Sequence, residues 1–180
     1  NNMTMDQIDR MRTYRALNNQ VFTSGKFSIV PIRYEDRFEI MKWRNEQIYH
    51  LRQNQPLTKE TQESYFSTVV ESLYHTERPN NVFFSFLERD KCIGYGGLVH
   101  MNWTDKNAEI SFIMETSLEE AHFEFYWGKF LSLIEVVAFK ELRLHKVYTC
   151  AFDLRPLLYN ALLAAQFHEA FLEALESALS

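Results

Sequence analysis

In the stretch NAEISFIMETSLEEAHFEFYWGKFL, Asn107 to Leu131, a strand-like run passes through a short acidic connection into an aromatic-rich helix. A helix that opens after a strand presents free backbone N–H groups and the positive end of its dipole, so such a turn can hold a phosphate group. Glycine normally lets the backbone approach the anion closely, and here none occurs before Gly128. Glu119, Glu120 and Glu124 lie near the helix start, where carboxylates favour the helix and oppose a phosphate. Upstream, His100 carries an imidazole that titrates near neutral pH and is suited to moving a proton. The GYGG run, Gly94 to Gly97, lies inside a strand-like segment, which signals a bulge or the close approach of another backbone or a ligand rather than a phosphate loop.

Other chemistries lack their residues. No Ser/His/Asp set for nucleophilic catalysis is visible, and no His/Cys/acid cluster has metal-ligand spacing, so no metal is expected. The two cysteines, Cys92 and Cys150, lie in apolar strand-like segments without a CxxC pattern and read as reduced core thiols. A net charge of −5 and a pI near 5.7 argue against a general nucleic-acid surface. No apolar run approaches the roughly 20 residues needed to span a bilayer, so no membrane partner and a cytoplasmic location are expected.

These residues must be positioned by a fold that 180 residues, 46% hydrophobic, can build as one domain. Met5, Ile8, Met11 and Tyr14 or Leu17 have helical spacing, which predicts an amphipathic N-terminal helix ending near Asn18–Gln20, as an extension over 1–24 before a main domain over 25–180. FSIVPIR (27–33) reads as a strand, and YEDRFEIMKWRNEQIYHLRQNQ as a helix with Phe38, Met41 and Ile48 on one face. Thr58 can cap a second helix, with Tyr65, Phe66, Val69, Val70 and Leu73 on its apolar face. VFFSFLE, CIGYGGLVHMN and NAEISFIME, joined by RDK and WTDK, predict an antiparallel three-strand meander. A long helix follows, with Phe123, Trp127, Phe130, Ile134, Val137 and Phe139 near helical spacing. KVYTCAF then reads as a strand and LRPLLYNALLAAQF as a helix.

The order strand, two helices, meander, long helix, strand, helix over Phe27 to Phe167, with the texture of VAFKELRLHKVYTCAF, resembles the GCN5-related N-acetyltransferase (GNAT) family. The fold so implied is α/β: an antiparallel meander followed by a parallel, splayed strand pair, flanked by helices. Here it carries an added N-terminal helix and an unusual helical C-terminus, HEAFLEALESALS, in place of the family's last two strands. IMKWRNEQIYHLR followed by PLTKETQESYF is similar to a bacterial subgroup that includes amino-sugar nucleotide N-acetyltransferases and relatives of ribosomal-protein N-terminal acetyltransferases.

The resemblance implies transfer of an acetyl group from acetyl-CoA to the amine of a small molecule, such as an amino-sugar nucleotide. A protein N-terminus as acceptor, or a degenerate module that binds without catalysis, are the alternatives. Attack on a thioester needs a base for the amine proton, donors for the developing oxyanion and an acid for the departing thiolate. By position in the family, Glu109 is the candidate base with His100 sharing that work, and Tyr159 is the candidate acid. Ser111, Phe112, Ile113 and Met114 would offer backbone groups to the cofactor, and Arg155 stands where an Asn usually contacts it. The family's [QR]xxGx[GA] pyrophosphate pattern, counted back from Ala138, falls on His122, Phe125 and Trp127 without a match. Gly128 and Lys129 are the residues that could serve a shifted site. Trp43, Arg44, Asn45 and Tyr49 would border the acceptor. An unpaired edge on the last family strand invites a homodimer.

Overall fold

The computed structural model describes residues 11–51 and 53–149; Cys150, Arg155, Tyr159 and the helical C-terminus expected from the sequence lie outside the described residues. Six strands form one sheet in sequence order: β1 (Phe22–Ser24), β2 (Phe27–Pro31), β3 (Val82–Glu88), β4 (Lys91–Asn102), β5 (Asn107–Met114) and β6 (Lys146–Tyr148). The first five are antiparallel to their neighbours and β6 is parallel to β5. The meander therefore stands where its strand-like runs and short turns predict it. The segment TSGK turns a hairpin: Ser24 pairs with Phe27, and Gly25 takes φ +60°, a conformation that favours glycine.

Between β2 and β3 run α1 (Arg37–Glu46), α2 (Lys59–Tyr65), a π-helical turn (Phe66–Val70) and α3 (Glu71–His75). Thr58 caps α2 through a reciprocal pair with Thr61. The buried face of this run is Phe66, Val70, Leu73 and Tyr74; Tyr65 and Val69, expected on it, are exposed because they sit one position off that line. α4 (Thr116–Glu135), continued by a π-helical turn (Val136–Glu141), packs its aromatic stripe on the sheet. Phe130 stacks on Phe112 of β5 at 4.5 Å and meets Phe86 of β3 edge to face at 5.6 Å. Phe139, expected in this stripe, is exposed.

The helical spacing at the N-terminus is not realised over the described part: residues 11–20 are an irregular strap. Tertiary bonds account for this. The buried Tyr14 hydroxyl donates to the Phe83 carbonyl at 2.6 Å and accepts from the Phe83 N–H at 3.0 Å, while the Gln20 side chain accepts from Tyr14 N–H and donates to the Leu17 carbonyl. Tyr14, Leu17 and Phe22 all belong to the core. At the strap's end the Glu141 carboxylate accepts from the backbone N–H groups of Asn18 and Asn19 at 2.7 and 2.8 Å.

Partial burial alone would raise the Glu141 carboxyl, but the Asn19 and Asn18 donors outweigh it and hold the group below its usual value of 4.5. A carboxylate depressed in the folded state stabilises above about pH 4.5, and that stabilisation is lost as pH falls through the folded value. Glu141→Gln is therefore expected to lower Tm by roughly 2–4 °C at pH 7 and by less at pH 3, as read by thermal unfolding at both pH values.

Candidate active site

β5 is the strand on which the site is built, because its two edges differ. The Glu115 N–H donates to the Ile93 carbonyl at 2.8 Å, and the carbonyls of Ser111 and Ile113 lie hard against Gly96 and Gly94 of β4. Backbone groups alternate along an antiparallel strand. Ser111 and Ile113 therefore turn theirs toward β4, whereas Ile110, Phe112 and Met114 turn theirs the other way. On that outer side β6 pairs only with Asn107, Ala108 and Glu109, through Lys146, Val147 and Tyr148. Among the described residues, Ile110 to Met114 have no strand partner there. Of the expected Ser111–Met114, Phe112 and Met114 turn their backbone groups to the outer side, as Ile110 does, and Ser111 and Ile113 turn theirs toward β4.

The glycines make this geometry possible. A Cβ on Gly96 would run into the Ser111 carbonyl and one on Gly97 into the Val82 carbonyl, while one on Gly94 would stand 2.9 Å from the Ile113 oxygen. GYGG is a place of close backbone approach, one of the meanings its position in a strand allows.

Glu109 forms the vertex of the site: it is paired across with Tyr148, the last described pair of β5 and β6, and on the other side with Val99. The strand is irregular just beyond Val99, where His100 takes φ +51° and its Nε2 comes to 3.4 Å from Glu109 Oε2. The bulge re-aims the imidazole onto the carboxylate, so the structure brings together the two titratable residues singled out from the sequence. The Glu109 side chain is 13% exposed and that of His100 67%, a gradient that links a sheltered carboxylate to solvent. Glu109, Ser111 and Ile113 share a face with Tyr95, the partner of Ile113, whose hydroxyl accepts from Arg44 of α1 at 2.6 Å.

α1 frames that face. Arg44 also donates to Gln53, and Asn45 holds the loop after α1 by accepting from the Leu57 N–H and donating to the Leu57 carbonyl. Trp43 is buried in the core. Trp43 and Asn45 thus shape the frame, while Tyr49, 93% exposed, projects from it. Asp36, ahead of α1, is buried and satisfied by Arg33 at 2.7 and 2.9 Å and by Ser85 at 2.7 Å.

α4 starts at Thr116, directly after β5, and breaks at His122 (φ −142°, ψ 34°). The break falls on the residue that the count from Ala138 assigns to the first position of the pyrophosphate pattern, so a second helix start, at Phe123, lies where that loop is expected. Gly128 faces open space. Lys129 extends its ammonium over Phe125, which packs on Phe27 of β2, so it lies on the β2 flank and not beside β5. Trp127 is buried against Phe112 at 5.5 Å, and among the described residues its Nε1 has no hydrogen-bond partner. A buried, unpartnered donor is costly and marks a place where an acceptor is missing.

Three residues here were not legible from the sequence. Tyr148 reads as an ordinary strand residue, and only the register puts it beside Glu109. Gln47, 3% exposed, donates to the Met114 carbonyl at 2.7 Å; a buried Gln in a polar helix end carries no sequence signal. Trp127 was legible as part of an aromatic stripe but not as an orphan donor. Cys92 donates its thiol to the Gly94 carbonyl and burial pushes its pKa up, as suits an unreactive thiol. Among the described residues no group of three or more His, Cys, Asp or Glu side chains could hold a metal ion, and no helix is long and apolar enough to cross a membrane.

Comparison with known proteins gives the architecture its relatives. A family model described as an acetyltransferase (GNAT) domain matches residues 29–171. The spermidine N-acetyltransferase from Vibrio cholerae, solved in complex with CoA and spermine, is similar with a TM-score of 0.55 at 17% identity, covering 70% of this chain and 71% of that one. A dodecameric structure of spermidine N-acetyltransferase from Vibrio cholerae in an intermediate state gives 0.51 at 19% identity, covering 70% of each chain. A crystal structure described as a putative acetyltransferase gives 0.52 at 14% identity, over 73% of this chain and 64% of that one. No match was found among curated proteins. With the matched segment running from within β2 through β6 and beyond, the chain belongs to the GNAT acetyltransferase family.

Proposed function

We propose that this acetyltransferase takes its acetyl group from acetyl-CoA and passes it to the primary amine of a small molecule that enters on the α1 face, beside Glu109. The observation that carries this reading is the Glu109–His100 pair, a sheltered carboxylate 3.4 Å from an exposed imidazole, on a strand whose Ile110, Phe112 and Met114 turn their backbone groups to the outer edge, away from β4. A peptide-like arm with two amides can lie along such an edge as a partial strand. The orphan Trp127 N–H against Phe112 fits the same amide-bearing ligand. The second helix start at Phe123 would face the diphosphate with backbone N–H groups, against the opposing field of Glu119, Glu120 and Glu124.

When bound, acetyl-CoA supplies a thioester carbonyl open to attack by a neutral amine. Glu109 accepts the amine proton at a carboxylate oxygen, and His100, 3.4 Å away and exposed, passes it to solvent. The outward N–H groups of β5 hold the arm and limit the freedom of the acyl end. Tyr148, across from Glu109, forms the other wall of the vertex. Tyr159 as proton donor to the sulfur and Arg155 as a cofactor contact belong to this proposal, on family position alone.

For the acceptor, the sheltered carboxylate at the vertex favours a cationic amine of the polyamine kind, such as spermidine, over an amino-sugar nucleotide, whose diphosphate would need cations. The test is calorimetric titration of CoA and acetyl-CoA, followed by acetylation assays with spermidine and with an amino-sugar nucleotide. Micromolar, saturable CoA binding and turnover of the polyamine are expected. No binding at millimolar CoA would overturn the reading, and turnover of the sugar nucleotide alone would overturn the acceptor assignment.

A further inference from the structure

The outer edge of β5 does not end by running out of residues; it is stopped by a side chain. Met114 is the last residue to turn its carbonyl outward, and Gln47, just past the end of α1, donates its amide Nε2 to that carbonyl at 2.7 Å. The same nitrogen lies 3.2 Å from Thr116 Oγ1, the first residue of α4, and Thr116 in turn donates to Glu46 Oε1 at 3.0 Å. Gln47 and Met114 are 3% and 1% exposed. On the β4 side the turn is held by the bond from the Glu115 N–H to the Ile93 carbonyl. The strand-to-helix turn is therefore clamped from both sides, and the outer clamp comes wholly from the acceptor-side helix.

We infer that Gln47 is a positioning residue for the cofactor: it occupies the last outward acceptor of β5 and fixes the turn into α4, so that Ile110 and Phe112 present their groups in one plane and the start of α4 is held at a set distance from them. This rests on the acetyl-CoA reading above. The physical basis is the directional demand of an amide arm. Two hydrogen bonds to one strand edge need both strand residues in register, and a turn free to rotate about Met114 would break the second while leaving the core intact. The clamp also explains why this turn can lack glycine: its backbone position is set by side-chain bonds rather than by a tight loop.

The test compares the unsubstituted protein with Gln47→Met, which keeps the side-chain length and packing but cannot donate, and with Thr116→Val, which removes the hydroxyl that links Gln47 to Glu46 and leaves the Gln47–Met114 bond. Calorimetric affinity for CoA, KM for acetyl-CoA, KM for the amine, Tm and amide hydrogen exchange over residues 110–118 are measured for each. The expected result for Gln47→Met is a loss of about tenfold in CoA affinity and a matching rise in KM for acetyl-CoA. KM for the amine stays unchanged, and exchange at 112–118 becomes faster in the absence of any ligand. Thr116→Val shows the same pattern more weakly. Gln47→Met with unchanged CoA affinity and unchanged exchange overturns the positioning role, as does a fall in Tm with kcat and both KM values altered together, the mark of a purely structural residue. Failure of the unsubstituted protein itself to bind CoA overturns the acetyl-CoA reading, and this inference with it.

Discussion

Glu109→Gln is expected to lower kcat for acetyl transfer by about 10²–10⁴-fold, the usual contribution of a positioned general base, while CoA affinity stays within about twofold. The amide keeps the shape of the carboxylate and its place between Val99 and Tyr148, but it cannot accept the proton that the attacking amine must lose. KM for the amine should rise as well, because the carboxylate that favours a cationic acceptor is neutralised. His100→Ala is expected to cost less, because solvent can replace an exposed imidazole as the second proton carrier. Raising the pH should then partly restore the His100 variant, since a larger fraction of the amine arrives already neutral, and should restore Glu109→Gln in the same sense but from a lower level. Steady-state kinetics across pH 6.5–9.5 with the two variants read this directly. A Glu109→Gln enzyme with kcat within threefold of the original would remove the carboxylate from the mechanism.

Gly97→Ala is expected to be the most damaging single change to stability. Its Cβ would be driven into the Val82 carbonyl, a backbone atom of the neighbouring strand that cannot move without opening the β3–β4 ladder. Overpacking against backbone costs about 3 kcal/mol or more, which at this chain length lowers Tm by roughly 6–12 °C. Gly96→Ala meets the Ser111 carbonyl and the Phe130 ring and should behave similarly, with the added effect of pushing β5 away from β4. Gly128→Ala supplies the control with the opposite sign. That glycine lies within a helix with nothing near its would-be Cβ, so alanine there should stabilise by about 0.5–1 kcal/mol. Thermal unfolding of the three variants separates the two kinds of glycine that composition alone treats alike.

How far the sequence spoke depended on whether a signal was local. The meander was legible because VFFSFLE, CIGYGGLVHMN and NAEISFIME are short, largely apolar runs joined by the brief turns RDK and WTDK, and all three strands stand where they were read. The strap over 11–20 was not, since its helical spacing is outweighed by bonds from Tyr14 to Phe83 and from Glu141 to Asn18 and Asn19, partners 69 and more than 120 residues away. β1 was missed because three residues carry no period, and its identity lies in the turn at Gly25.

The site followed the same rule. Glu109 was singled out through family position and His100 through its imidazole at a strand end, and the bulge that joins them is a backbone feature without a sequence mark. Which of Ser111 to Met114 face the cofactor depends on ladder phase, a property of two strands together. Gln47 acts on Met114 across 67 positions, and nothing in RNEQIYH announces it. The missing glycine pattern was read correctly as a departure. Its structural counterpart is a helix that begins at Thr116 and restarts after His122.

The most direct test of the account is residue-resolved amide hydrogen exchange of β5 by NMR, with and without CoA. An alternating response is expected: the amides of Ile110, Phe112 and Met114, which face away from β4, slow on addition of CoA, while those of Ser111 and Ile113, already bonded toward β4, do not change. Saturating CoA that leaves all five amides unaltered, or slows them all alike, would contradict the claim that this strand edge is where the cofactor lies.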